Sequence, residues 1–139
     1  MTTNTTLLIT KDPSHPLAHL ALRYAQALLN DEADKTNADN SHQPNLQLFF
    51  YADAAPLANR LRWQSADQLD LTQAWQALAA EHNITLPVCV STALSRGVSD
   101  SDNSARHQLS GDNLASGFEL VGLSELAMML QTHSRLISF

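Results

Sequence analysis

Cysteine is almost absent from this chain of 139 residues, which contains a single one, Cys89. One thiol cannot form an internal disulfide bond, and it cannot build a cysteine-based zinc site. Basic residues are also scarce, because eight lysines and arginines stand against fourteen acidic residues and the formal net charge is −6. Without a basic run, the chain lacks the charge pattern of proteins that bind a phosphate backbone. The acidic balance instead suits docking to a basic protein partner.

Glycine-rich binding motifs are missing as well. The four glycines (Gly97, Gly111, Gly117 and Gly122) are dispersed along the chain. They form neither the phosphate loop of nucleoside triphosphatases nor the GxGxxG turn of dinucleotide-binding proteins. A GxSxG nucleophile elbow is also absent. These absences argue against nucleotide binding and serine hydrolysis, and we expect the protein to need no cofactor.

Long hydrophobic runs are not found. No apolar stretch approaches the roughly 18 residues that span a bilayer. Residues 1–6 have neither the basic start nor the apolar stretch of a secretory signal. We therefore expect a cytoplasmic protein without membrane contact, in which a lone thiol stays reduced.

Short apolar segments alternate with segments of helical periodicity. We predict strands at residues 6–10, 46–51, 84–90, 118–121 and 134–139. Helices are predicted from 14–16 to about 29, from 67–70 to about 82, and from 122–125 to about 131. This alternation is typical of an α/β domain with a five-stranded, mostly parallel sheet. Residues 1–139 are expected to form one domain.

Periodicity and polarity assign the remaining features. The apolar residues predicted to face inward are Leu17, Leu20, Ala21, Tyr24 and Leu28 in the first helix, and Leu123, Leu126, Ala127 and Leu130 in the last. Residues 30–45 are almost wholly polar, which predicts a flexible surface loop. An irregular connection is predicted at residues 52–66, and residues 95–113 form a polar segment that is expected to be partly helical.

Cys89 stands where the third predicted strand meets a helix start, within residues 86–98 (LPVCVSTALSRGV). Ser91 and Thr92 supply hydroxyls of the kind that cap helix N-termini. A thiol at such a junction faces unpaired backbone N–H groups, which favour the thiolate and should lower the thiol pKa. Functional groups also gather at the carboxyl ends of parallel strands. Against this stands a simpler interpretation, because a free cysteine among valines is often a small buried hydrophobe without chemistry.

Other residues give weaker signals. Arg96 and Gly97 follow the cysteine segment, where Gly97 could end a helix and Arg96 could stabilise an anionic thiolate or contact a partner. A helix-end arginine favoured by the dipole explains Arg96 equally well. Trp75 has helical spacing and is expected in the core.

Four histidines were candidates for chemistry. His15 and His19 have the i, i+4 spacing of metal ligands, but a third ligand is not evident and we expect them to face solvent without a metal. His82 and His107 could act as a base for Cys89, although neither has a diagnostic spacing.

The segment at residues 86–98 resembles the active-cysteine segment of sulfurtransferase subunits of the DsrE family. Further matching segments follow in the expected order: residues 22–29, 49–51, 58–59, 70–78, 113–123 and 135–139. The chain departs from the family pattern at residues 11–16 and 52–55, where relatives usually carry glycines. The resemblance implies a three-layer α/β/α fold with a parallel five-stranded sheet between helices, and it implies that Cys89 is the catalytic residue.

The resemblance also implies partners. It predicts a heterohexamer with two homologous small subunits, one TusB-like and one TusC-like. Sulfur would arrive as a persulfide from a TusA-like donor and leave to a TusE-like acceptor, without direct binding of nucleic acid. The end use in the family is 2-thiouridine formation at the tRNA wobble position. Two alternatives stay open, namely a homomeric DsrE-like protein of another sulfur pathway and a non-catalytic assembly module with an inert cysteine.

Overall fold

Five strands and five α-helices make up the part of the chain that the computed structural model describes, residues 4–35, 45–132 and 135–139. The strands are β1 (Thr5–Ile9), β2 (Leu46–Phe50), β3 (Leu86–Cys89), β4 (Phe118–Val121) and β5 (Arg135–Ser138). The helices are α1 (Pro16–Lys35), α2 (Leu71–His82), α3 (Val90–Ser95), α4 (Ser101–Arg106) and α5 (Leu123–Thr132). A short 3-10 helix spans Ala52–Ala58 after β2.

The strands form one sheet in the order β4-β3-β2-β1-β5, and every pairing is parallel. From β1 to β4 the chain steps along the sheet in one direction, whereas α5 carries it back past three strands to β5. Because crossover connections share one hand, this reversal places α5 on the opposite face from the earlier helices. The predicted α/β/α fold with five strands is confirmed.

The larger core lies on the face that α1 and α2 cover. Phe50 and Val88 are paired in the sheet and pack there with Trp75 of α2, which is fully buried as predicted. The Phe50 ring meets the Trp75 ring edge-on at 5.3 Å and the Phe118 ring at 5.5 Å. Such tilted contacts suit aromatic quadrupoles and add to the free energy gained from burial.

The smaller core lies on the face that α5 covers. It contains three buried residues, Phe49, Cys89 and Met129, with Leu126 packed against them. Phe49 is adjacent to Phe50 in β2, so alternation along the strand sends the two rings to opposite faces of the sheet. The cysteine therefore belongs to the thinly covered side of the molecule.

Side-chain caps fix where two of the helices begin. The Asp70 carboxylate accepts a hydrogen bond from the Gln73 N–H at 3.2 Å and starts α2, whose end is marked by Asn83 at φ 54°. Asp100 does the same for α4, with Asn103 N–H at 2.8 Å. Both caps satisfy N–H groups that have no partner within the helix.

The predicted inner faces of two helices were partly wrong. Leu20 of α1 is 41% exposed, and the buried side of that helix combines Ala18, Ala21 and Ala25 with Leu22 and Leu29. In α5, Leu123 and Leu130 are 48% and 44% exposed and Ala127 is also exposed, so that only Leu126 and Met129 face the sheet. Alanines let a helix approach the sheet closely. The spacing of leucines alone therefore does not identify the buried face of a helix.

The polar segments also contain more structure than predicted. Helix α1 continues to Lys35, beyond the predicted end near Leu29, because no glycine or proline interrupts residues 30–35 and several of them favour helix. Residues 36–44 of the predicted loop 30–45 lie outside the described residues. The connection after β2 begins with the 3-10 helix, residues 95–113 contain α4, and Val90 starts α3 instead of ending the strand.

Among the described residues, no helix combines the length and the apolar character that crossing a membrane would require.

Candidate active site

Cys89 is the last residue of β3 and stands directly before α3. It pairs in the sheet with Val121, the last residue of β4. The site is thus at the carboxyl edge of the parallel sheet, where the sequence predicted it. Val88 before it is fully buried in β3, and Val90 after it already belongs to α3.

The thiol is buried. Cys89 is 1% exposed and lies in the cluster with Phe49 and Met129. The sequence left two interpretations open, a reachable thiol at a strand end and a small buried hydrophobe among valines, and the structure places Cys89 in the buried position. The strand order accounts for this position, because the return to β5 sends α5 across the face that Cys89 occupies, and the sequence did not predict that order.

The first turn of α3 supplies the polar surroundings of the sulfur. Cys89 Sγ lies 3.4 Å from Ser91 Oγ, and the Thr92 hydroxyl donates to the Cys89 carbonyl at 3.2 Å. The sulfur makes no capping hydrogen bond with full N–H geometry. The N–H groups of Ser91 and Thr92 nevertheless lie close enough for their dipoles to act on it.

Two opposing effects set the pKa of the Cys89 thiol. Burial is the largest single effect, and it raises the pKa. Hydrogen-bonding groups of the first turn lower the pKa, and together they outweigh burial, so that the pKa lies below its ordinary value. These groups are the Ser91 hydroxyl, the Thr92 N–H and hydroxyl, and the Ser91 N–H. Because the single Thr92 proton points to the Cys89 carbonyl, the hydroxyl must turn to the sulfur when the thiolate forms. The site therefore favours the thiolate, which is the nucleophilic form of cysteine.

Arg96 lies at the other end of α3. Its guanidinium forms an ion pair with Asp53 of the 3-10 helix at 3.0 Å and donates to the Thr92 carbonyl at 3.3 Å. It is not among the groups that shift the Cys89 pKa. Its predicted part in stabilising an anion or contacting a partner stays a prediction. The adjacent Gly97 has φ 77°, which confirms the left-handed stop expected there.

The candidate histidines lie in or next to three different helices, and His19 in α1 is half-buried instead of facing solvent as predicted. His15 precedes α1, and its Nδ1 accepts the Leu17 N–H at 3.0 Å, so it helps to start the helix. His82 ends α2 with its Nε2 3.9 Å from Glu81, and His107 ends α4. Within the described residues, no group of three or more histidine, cysteine or acidic side chains could hold a metal ion.

Comparison with known proteins points in one direction. A model of the DsrE/DsrF-like family matches residues 4–139. A protein of Pectobacterium carotovorum named Sulfurtransferase TusD is 41% identical over 122 residues, which are 88% of this chain and 87% of the relative. The Sulfurtransferase TusD of Proteus mirabilis is 43% identical over 93 residues, 67% of this chain and 72% of the relative.

A solved structure shares the fold. The crystal structure of the ychN protein from E. coli superposes with a TM-score of 0.67 and covers 99% of this chain and 100% of its own. At 16% sequence identity, this likeness concerns the fold alone.

Proposed function

This chain belongs to the DsrE/DsrF-like family, and from that premise we propose that it is a sulfurtransferase that carries a persulfide on Cys89. The observation that carries the proposal is the position of Cys89, the one thiol in the chain, at the strand end where α3 begins, with Ser91 Oγ 3.4 Å from its sulfur. The names of the relatives support the same class of reaction.

The transfer consists of two thiolate displacements. In the first, the Cys89 thiolate attacks the outer sulfur of a donor persulfide, the S–S bond of the donor breaks, and the donor leaves as a thiolate. Cys89 then carries the outer sulfur through a new S–S bond. In the second, an acceptor thiolate attacks that outer sulfur and Cys89 leaves as the thiolate. The sequence involves no net oxidation or reduction, because each S–S bond formed replaces one that breaks.

The first turn of α3 assists both displacements. Its dipoles stabilise the Cys89 thiolate, which is the nucleophile in the first step and the leaving group in the second. A thiol with a lower pKa is a better leaving group and a somewhat weaker nucleophile. The surroundings of Cys89 therefore favour delivery of sulfur to the acceptor.

We further propose that the protein works in an assembly, with TusB-like and TusC-like subunits, a TusA-like donor and a TusE-like acceptor. The final product would be 2-thiouridine at the tRNA wobble position. A relay needs surfaces that bring two cysteines together, and two large apolar side chains at the surface support docking. Leu61 is 67% exposed and Trp63 is 81% exposed.

A second candidate function has an observation in its favour. The 1% exposure of Cys89 suits a non-catalytic assembly module in which the cysteine only fills space. A sulfur-loading experiment distinguishes the two functions. Incubation with a cysteine desulfurase, cysteine and a TusA-like carrier should add the mass of one sulfur atom to the wild type and nothing to Cys89→Ser. A wild type that stays unmodified while a known relay protein is loaded would favour the inert module.

A further inference from the structure

The burial of Cys89 conflicts with a reaction between proteins. With 1% of its surface exposed, its sulfur cannot meet the sulfur of another protein in the arrangement that the structure shows. A displacement at sulfur requires the attacking thiolate to reach bonding distance of the outer sulfur. Some element over Cys89 must therefore move before transfer, and this conclusion rests on the proposed function.

The sheet side of the cluster is fixed. Phe49 belongs to the central strand β2, where it pairs with Leu8, and its neighbour Phe50 pairs with Val88. Moving Phe49 would break hydrogen bonds on both sides of the strand and disturb the larger core. Opening from that side would therefore cost more free energy than opening from the helix side.

The helix side of the cluster is held by few contacts. Of the ten residues of α5, only Met129 is buried and only Leu126 is half-buried, while the others are exposed. Met129 itself keeps 8% of its surface exposed, so it lies at the rim of the cluster. An element with so little buried apolar surface opens at a small fraction of the free energy of global unfolding.

We propose that α5 is a movable cover over Cys89 and that Met129 is the residue that closes it. Methionine suits this position, because its unbranched side chain has three rotatable bonds and refills irregular space after it moves. The outer sulfur of a persulfide also needs room, and Met129 is the flexible neighbour in the cluster. The closed state keeps water and small thiols away from the loaded sulfur, and the open state admits the partner cysteine.

Alkylation of the full-length protein by iodoacetamide tests the cover without any relay partner. Rates are measured on the plateau of the pH profile, where the thiol is fully ionised in every variant, so that changes in pKa do not enter. Met129→Ala should raise the rate constant by about tenfold or more, since truncating a buried methionine removes packing worth at least one decade in an equilibrium constant. Met129→Leu keeps the volume and should stay near the wild-type rate.

Met128→Ala is the matched control. Met128 precedes Met129 on the same helix, is 61% exposed and lies outside the cluster, so its truncation should leave the rate unchanged. Equal labelling rates for the alanine variants at 128 and 129 would contradict the proposal that α5 covers Cys89. A wild type that reacts as fast as free cysteine would contradict it as well.

Low concentrations of urea separate local opening from unfolding. Opening of α5 exposes little surface, so the labelling rate of the wild type should depend weakly on urea. A dependence as steep as that of global unfolding would overturn the proposal, and the same measurement on Met129→Ala guards against a variant that is merely unfolded. Sulfur loading is read separately by mass. If Met129→Ala speeds labelling but the wild type gains no sulfur, the proposed function is wrong and the cover is not. If the wild type gains sulfur but Met129→Ala does not speed labelling, the cover is wrong and the proposed function is not.

Discussion

The sulfur of Cys89 and the hydroxyl oxygen of Ser91 lie 3.4 Å apart, so the first turn of α3 bends back onto the residue that precedes it. At this distance either atom can donate while the sulfur is a thiol, but only Ser91 can donate once the sulfur is a thiolate. The contact therefore favours the charged form. It gives a buried sulfur in an apolar cluster a polar neighbour of its own.

Replacing Ser91 by alanine should raise the pKa of the Cys89 thiol. The variant loses the largest of the effects that lower this pKa, while the opposing effect of burial remains. The pH profile of iodoacetamide labelling should shift to higher pH, with a several-fold lower rate near neutral pH and an unchanged plateau. Ser95→Ala removes a hydroxyl from the far end of the same helix, where it donates to the Thr92 carbonyl, and should leave the profile in place. Identical profiles for the two variants would show that Ser91 does not act on the sulfur.

Stability should depend on pH through Cys89. The pKa of this thiol is lower in the folded than in the unfolded chain, so the unfolded chain binds more protons between the two values. The free energy of unfolding should therefore rise as the pH increases from below the folded pKa to above the unfolded one, which is about 8.5. The contribution is lost as the pH falls through the folded pKa. Urea unfolding of the wild type and of Cys89→Ala across this range isolates the effect, and equal slopes in both proteins would contradict it.

The sheet could be predicted from the sequence because each strand is a short apolar run bounded by polar or turn-forming residues. The position of Cys89 at the end of β3 followed from the same pattern. The hydroxyls of Ser91 and Thr92 were also visible, since they stand next to the cysteine in the chain.

Whether Cys89 is reachable or buried could not be decided in this way, and the sequence left both interpretations open. It depends on the face that α5 covers and on the angle at which this helix lies, and both follow from how the chain crosses the sheet from β4 at one edge to β5 at the other. The inner residues of α5 were chosen from leucine spacing, yet Met129 makes the buried contact and Leu130 does not. The apolar residues of α5 outnumber those that the sheet covers, so leucine spacing alone does not decide which of them face inward.

Arg96 offers a test of whether a distant cation affects the thiol. Its guanidinium is engaged by Asp53 at 3.0 Å, at the opposite end of α3 from Cys89. Arg96→Ala should therefore leave the pH profile of Cys89 labelling unchanged, and it should alter stability by less than about 1 kcal/mol because the pair is partly exposed. Asp53→Ala is the companion variant, since it frees the guanidinium. A profile that shifts to higher pH in Arg96→Ala would show that the cation does stabilise the thiolate.

Assembly should depend on the exposed apolar pair Leu61 and Trp63. Light scattering of the protein purified with its two small homologous subunits should give the mass of a multisubunit complex. Changing both residues to serine should weaken that complex while the melting temperature of the isolated chain stays nearly constant, because exposed side chains contribute little to folding. Leu20→Ser, at a leucine that is 41% exposed on α1, serves as the control. A wild type that stays monomeric beside those subunits would contradict the assembly, and a complex that survives both substitutions would place the contact elsewhere.

Substitution of Cys89 should separate chemistry from packing. Serine is nearly isosteric with cysteine, but its hydroxyl cannot hold the transferred sulfur and is hardly ionised near neutral pH. Because Cys89 is buried beside Phe49 and Met129, a hydroxyl there should lower the free energy of unfolding by about 1–3 kcal/mol, less if Ser91 accepts its proton. Cys89→Ala places no polar group in the cluster and should cost less. Neither variant should gain sulfur from a loaded donor, and thermal melting should show that both are folded. If stability follows this order while the wild type also stays unloaded, Cys89 acts through packing alone; if Cys89→Ser accepts sulfur, another atom carries it.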